Sequence, residues 1–316
     1  MTDNKAAVID LGTNTFHLLM VELSEGGFEL IFKEKIPVKI GQGGISKDII
    51  TADAQKRAFH TINHFKELIK GEKITQVYVF ATSAVRNAMN GAEFVQKIQK
   101  DYGLKVNVIN GDHEAQLIYE GIRFSGILNS STALMLDIGG GSVEFIIGNN
   151  KEALWKQSFE IGGQRLLDLF AYHDPILPGE VSNLMGYFDK QLLPLVAAIQ
   201  KYKPIEFVGA SGTFDTLTDM YYASVHSPKL KDKNNFVLPR TEFERILQKL
   251  LQLNRAERLA IPGMIPMRVD MIVVAVCLIE YVLRHFDTRE LICSTYALKE
   301  GVIAELVHSR ETVTVS

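Results

Sequence analysis

Cysteine is scarce in this 316-residue chain: Cys277 and Cys293 are the only two. That excludes a disulfide framework and any cysteine-rich metal module. An excess of either charge is missing as well. Lys and Arg total 34 against 37 for Asp and Glu, a formal net charge of −3. No global field therefore draws the chain onto a nucleic-acid polymer or an anionic membrane. The longest charge-free apolar run in the second half, Met271–Ile279, falls far short of the ~20 residues of a bilayer-spanning helix. The opening Met1-Thr2-Asp3-Asn4-Lys5 has neither a basic n-region nor a long apolar h-region, so no signal peptide is expected. Low-complexity tracts are absent. What remains is the expectation of a cytoplasmic protein whose length suits two domains.

What is present is an alternation of strand-like and helix-like segments. Ala6–Leu11, Phe16–Leu23 and Phe28–Val38 read as strands, with Gly-containing breaks between them. Thr51–Lys70 places Ala54, Ala58, Ile62, Phe65 and Ile69 at helical spacing behind Thr51 as N-cap. Val77–Ala81 and Val106–Ile109 read as buried strands, and Glu93–Tyr102 and His113–Gly121 as helices. A second series begins with strands at Ala133–Asp137, Val143–Gly148 and Ala153–Phe159, then helices through Gln164–Phe170 and Glu180–Gln200. Strand Glu206–Val208 leads into a helix after Ser211. Helices at Glu242–Leu253 and Val269–Arg284, a strand at Glu290–Cys293 and a last helix at Ala297–His308 close the chain. The pattern predicts an α/β protein with one sheet in each half. The Ser/Gly/Asn stretch Ser125–Thr132 is the expected boundary.

A self-similarity carries the first chemical information. Val8–Met20 aligns without gaps on Met135–Ile147, with Asp10 and Asp137 127 residues apart. Each copy is an apolar strand ending in Asp, a Gly-containing turn with a hydroxyl residue, and a second apolar strand. Such a turn offers N–H groups and a hydroxyl to an anion, with the Asp beside it for a cation or a water. One copy alone is better read as an ordinary Gly-rich hairpin. Two matched copies, the second with three glycines, are better read as a phosphate clamp: Gly12, Thr13, Asn14 and Thr15 on one side, Gly139, Gly140, Gly141 and Ser142 on the other.

Three further loops lean the same way, each against a bland alternative. Gly209–Thr213 is a small-residue turn into a helix start, where N–H groups of Ser211, Gly212 and Thr213 favour anions; Ser211 as a plain cap is the competing reading. Arg86 follows a buried strand and offers a bidentate guanidinium. Asp112 and Glu114 open a helix, where acids are ordinary, but a carboxylate at that edge is where a general base belongs. Three other features take their bland reading. His60 and His64 lack the Glu of a zinc protease between them. Cys277 is core. Lys229, Lys231 and Lys233 form a solvated loop.

Taken in order, the segments Asp10–His17, Thr82–Gly91, Gly111–Gly121, Asp137–Glu144, Gly162–Leu166, Gly209–Thr213, Ile261–Ile272 and Ser294–Glu305 resemble the exopolyphosphatase/guanosine pentaphosphate phosphohydrolase family. That family lies within the actin, sugar-kinase and heat-shock-chaperone ATPase superfamily. The resemblance implies two actin-like (ribonuclease H-like) ATPase domains with an interdomain cleft. It places the catalytic glutamate on Glu114, within Gly111-Asp112-His113-Glu114-Ala115, where His113 replaces the family's usual neighbouring glutamate. Its second acidic position falls on Glu144, its loop-opening Asp on Asp137, and its arginines on Arg86 and Arg165. Asp137 and Glu144 would hold Mg²⁺, and Glu114 would deprotonate the attacking water.

The expected substrate is inorganic polyphosphate, with guanosine pentaphosphate (pppGpp) as the alternative. An actin-fold kinase for a sugar or other small molecule and a non-catalytic nucleotide sensor are the other readings weighed. Residues 1–126 are expected to form the first domain, rejoined by a C-terminal helix at about 297–316, and residues 127–296 the second. The length leaves no room for the helical His-Asp domain of longer relatives. A homodimer through the apolar helix Val269–Leu283 is weighed against burial of that helix, which is preferred.

Overall fold

The computed structural model describes residues 4–170, 172–230 and 233–314. The first half runs β1 (Lys5–Leu11), β2 (Phe16–Ser24), β3 (Gly27–Ile36), a 3-10 turn at Ile45–Lys47, α1 (Ala52–Gly71), β4 (Gln76–Ala81), α2 (Ser83–Asn87), α3 (Gly91–Tyr102), β5 (Val106–Val108) and α4 (Gly111–Phe124). The second runs β6 (Ala133–Ile138), β7 (Val143–Gly148), β8 (Ala153–Phe159), α5 (Gly163–Leu169), α6 (Pro178–Gln191), α7 (Leu193–Tyr202), β9 (Glu206–Ala210), α8 (Ser211–Ser224), β10 (Asn235–Pro239), α9 (Arg240–Gln252), α10 (Arg255–Leu259), α11 (Ile272–His285), β11 (Glu290–Ser294) and α12 (Leu298–Thr314).

The repeat in the sequence is a repeat in the topology. One sheet has the order β3-β2-β1-β4-β5; the other has β10-β11-β9-β6-β7-β8. In each, the leading strand pairs antiparallel with its hairpin partner and parallel with the next strand beyond the intervening helices, α1 in the first half and α5 to α7 in the second. The two Asp-bearing strands are therefore central. β6 and β7 are buried at every residue, as strands covered on both faces must be, and apart from Asp137 and Glu144 they read as continuous apolar runs rather than alternations.

Local sequence explains the helix boundaries. Thr51 caps α1 through Ala54 N–H, as expected. Asn110 caps α4, accepting from His113 N–H at 2.8 Å, and Asp112 and Glu114 lie in its first turn. The single helix anticipated over Glu180–Gln200 is two, α6 and α7, with the break at Leu192. Pro194 is the cause: it has no N–H to give and its ring clashes with the preceding turn, but it is tolerated in the first turn of a new helix. β10 carried no strand signal because it is short and ends in Pro239 at a sheet edge. α11 is buried almost throughout, Cys277 included. Lys231 lies outside the described residues.

α12 leaves the second sheet and packs against α4 and β1 in one apolar cluster with Leu117, Ile118, Ile122, Val302 and Ile303. The approach is close: a Cβ at Gly301 would strike the Leu117 carbonyl, and one at Gly121 the Ala297 carbonyl. These two helices each bring a charged residue to the same cavity.

Candidate active site

The two clamp turns face each other. Gly12 and Gly139 do the same job in their copies: a Cβ on either would sit 2.9 Å from the carbonyl of Thr15 or Ser142. Only glycine permits so tight a fold of the turn. Across the gap the loops meet. A Cβ at Gly140 would lie 3.1 Å from Thr13 Cβ, and one at Gly141 would lie 2.6 Å from Thr13 Oγ1. The second loop is held from behind by the start of α5. Gly163 N–H donates to Gly139 O at 2.9 Å, and Gln164 N–H to Gly140 O at 2.8 Å. Fixing the carbonyls to the rear sets the orientation of the peptide units in the loop.

Between the loops is a cavity of about 90 Å³. Strand register brings acids into it. Asp10 pairs with His17 across β1 and β2, and Asp137 with Glu144 across β6 and β7. Glu114 enters from the first turn of α4, and Arg268 and Lys299 complete the lining. Glu114, Asp137 and Glu144 are all buried, at 7%, 8% and 2% exposure. Ser158 Oγ donates to Glu144 at 2.6 Å, and Ser211 Oγ donates to Asp137. Ser211 takes a positive φ of 65° to do so, a strained backbone state typical of functional turns. Gly212 beside it is bare because a Cβ would collide with the Arg268 guanidinium.

Crowding buried carboxylates together makes each hard to ionise. Desolvation lifts Asp10 to about 6, against the pull of Lys299. It lifts Asp137 to about 6, against the Ser211 hydrogen bond and Lys299. Glu114 is pushed up to about 8 by burial, although Arg86 at 2.8 Å opposes the shift. Glu144 is raised by burial and by Glu114 and Asp137. On the cationic side, burial drives His17 well below the imidazole range, and burial with Arg268 nearby lowers Lys35 to about 8. Lys299 is raised: burial disfavours its charge, but Glu300, Asp10 and Asp137 outweigh that.

The donor set fits Mg²⁺ shared with a phosphate. Among the described residues no three His, Cys, Asp or Glu side chains form a protein-only cage. Magnesium does not need one, because it takes one or two carboxylates and completes its shell with water and phosphate oxygens. Two buried polar atoms find no partner among the described residues at this place, Asn14 Oδ1 and Arg268 Nε. An acceptor for a hydrated cation and a donor for an anion suit that pair.

Gly12 to Thr15, Gly139 to Ser142, Ser211, Gly212, Glu114, Asp137 and Glu144 all line the cavity. Three expected residues do not. Thr213 is buried within α8. Arg86 bonds Glu114 and Glu160, each at 2.8 Å, and the Ile109 carbonyl. Arg165 lies behind the second loop, reaching Gly141 O, Ile45 O and Glu160.

The family model for the Ppx/GppA phosphatases matches residues 19–310. The chain belongs to the Ppx/GppA phosphatase family. It is similar to a crystal structure of an exopolyphosphatase from Cytophaga hutchinsonii, with 42% identity, a TM-score of 0.94, and 96% of this chain and 98% of that one covered. An Aquifex aeolicus member of the Ppx/GppA family shares the fold at 24% identity and a TM-score of 0.80, over 97% of this chain and 98% of its own. A Haemophilus influenzae protein provisionally named exopolyphosphatase is 26% identical over 300 residues, 95% of this chain and 90% of its own.

As a Ppx/GppA phosphatase the chain has the two-domain actin-like fold of its structural neighbours, and an α/β architecture with two mixed sheets. No helix among the described residues is long and apolar enough to cross a membrane. Arg268, Lys299, His17 and Ser158 were not singled out from the sequence. Arg268 and Lys299 lay inside family-like segments, and His17 occupies the place of Glu144 in the internal repeat, so the signal existed for three of the four.

Proposed function

We propose that this chain is an exopolyphosphatase, hydrolysing the terminal phosphoanhydride of inorganic polyphosphate to release orthophosphate. The observation that carries the reading is the cavity itself: two glycine-hydroxyl turns facing each other, four carboxylates between them, and Arg268 and Lys299 at the edge. The 42% identity to a protein named exopolyphosphatase points the same way. Phosphoryl transfer asks for positioning and charge neutralisation more than covalent chemistry. In this reading the N–H groups and hydroxyls of Gly12–Thr15 and Gly139–Ser142 cradle the terminal phosphate. Arg268 and Lys299 offset its charge. Glu114 orients a water in line with the scissile bond and takes its proton as the P–O bond forms. The shortened chain leaves with the bridging oxygen.

Asp137 and Glu144 would hold Mg²⁺, which neutralises phosphate oxygens when bound. The same reading assigns residues 1–126 with α12 to one domain and 127–296 to the other, and places the enzyme in the cytoplasm. The test is phosphate release from long-chain polyphosphate, pppGpp and ATP in parallel, each with Mg²⁺. Release from polyphosphate is expected. Turnover of pppGpp alone replaces the proposal with the nucleotide reading, and transfer from ATP to an added alcohol replaces it with a kinase. Glu114→Gln should fold, bind polyphosphate and lose roughly 10²–10⁴ in kcat; an unchanged kcat removes Glu114 from the mechanism.

A further inference from the structure

Glu160 takes no part in the chemistry above, yet its carboxylate joins both sides of the cleft. It stands between β8 and α5. Its Oε1 accepts from Arg86 at 2.8 Å, and its Oε2 accepts from Ser83 Oγ at 2.6 Å and from Arg165 at 3.1 Å. Ser83 and Arg86 belong to α2, which follows the first sheet's β4, and Arg165 to α5, behind the second clamp loop. Two guanidiniums and a hydroxyl converging on one pair of oxygens are the donors that a phosphate group takes.

Desolvation works against the charge of Glu160. The hydrogen bonds from Ser83, Arg86 and Asn87 prevail and hold its carboxyl below the ordinary range, so it is a full anion. At 40% side-chain exposure it can swing into water at little cost. A hollow of about 310 Å³, lined by Arg86, Asn110, Gly111, Asp112, Ser158 and Glu160, adjoins the pair. Arg86 touches Glu114 as well, so this hollow and the catalytic cavity share a wall.

We propose that Glu160 is a specificity-determining residue, a built-in stand-in for phosphate that a ligand's second phosphate must displace from Ser83, Arg86 and Arg165. This deepens the polyphosphate reading and rests on it. A phosphate chain anchored in the clamp delivers its next phosphate at high effective concentration and wins that exchange. A single orthophosphate held in the clamp does not reach the arginines. Glu160 thereby sets the affinity for chains without touching the scissile bond.

Glu160→Gln keeps the shape and an acceptor oxygen and removes the charge. Binding is measured by calorimetry in EDTA, with the cell contents assayed for released phosphate to verify that no turnover occurs, and with tripolyphosphate and orthophosphate as probes. The variant should bind tripolyphosphate roughly 5-fold tighter, the worth of a partly exposed ion pair, and orthophosphate within 2-fold of wild type. In an Arg165→Met background the gain should shrink, because of the three donors to exchange only Ser83 and Arg86 remain. Unchanged or weaker tripolyphosphate binding overturns the proposal, and so does an equal gain for orthophosphate, which would be general electrostatics. A thermal melt confirms that each variant is folded. Wild-type phosphate release from polyphosphate is read separately. Its absence would remove the functional reading and leave the binding comparison intact.

Discussion

At the scale of the residue, Glu114 has to be deprotonated to accept a proton, and its surroundings resist that. Burial raises its pKa to about 8, and the Arg86 guanidinium is the main influence holding it down. Activity should therefore climb with pH through the neutral range, the rising limb belonging to the interacting Glu114 and Glu144 rather than to one of them. Bound Mg²⁺ favours the carboxylate and brings the limb below the metal-free value. Arg86→Gln withdraws the opposing charge, so the limb should move to higher pH. The check is kcat against pH for both proteins; a limb that stays or moves down shows that Arg86 does not tune the base. Arg86 and Glu114 were each legible in sequence, as a cation and an acid near the site, but their contact was not: no spacing rule connects residue 86 to residue 114.

At the scale of the element, the crossing of α4 and α12 decides how far Glu114 stands from Lys299. The helices approach with backbone against backbone at Gly121 and Gly301. Gly301→Ala puts a methyl group into the Leu117 carbonyl, and the helices must part to admit it. Overpacking of this kind costs about 1–3 kcal/mol; urea unfolding should show that loss, with kcat falling as Lys299 is displaced. An unaltered midpoint would mean that the crossing is compliant. Strands, helices and the repeat were readable in the sequence because hydrophobic period and glycine turns are local properties. The break at Pro194 was equally local, and the apolar period on either side masked it. Arg268 and Lys299 differ in kind. Their role comes from which cavity they reach, and that is fixed by the approach of Gly212 to Arg268 and of Gly301 to Leu117, contacts between segments distant in sequence. Glu160 is a charged residue in a short connection, indistinguishable in sequence from a solvated one.

At the scale of the whole molecule, the cavity is a store of unfavourable charge that the rest of the fold must hold together. Asp10 and Asp137 each move from 3.8 to about 6, and Glu114 from 4.5 to about 8, with burial the first cause in every case. A carboxyl whose folded pKa is raised binds its proton more tightly in the folded than in the unfolded state. Stability from these groups is therefore greatest below their unfolded values and is lost as pH rises through the folded ones. For each Asp the loss is roughly 3 kcal/mol once pH exceeds 6. Protein stripped of metal with EDTA should accordingly melt at falling temperatures from pH 5 to pH 8. Mg²⁺ should restore the melting temperature at pH 8 and do little at pH 5, where the acids are largely protonated. Asp137→Asn provides the internal control. It keeps the shape and an acceptor for the Ser211 hydroxyl and cannot ionise, so it should raise the metal-free melting temperature at pH 8 and by about half as much at pH 5, which lies between the unfolded and folded pKa values. A variant that melts lower than wild type at pH 8 would show that Asp137 earns its place by bonding within the fold. The expected rise would instead mean that the fold tolerates this buried charge for the sake of the ligand it meets, the usual exchange of stability for function at an active site.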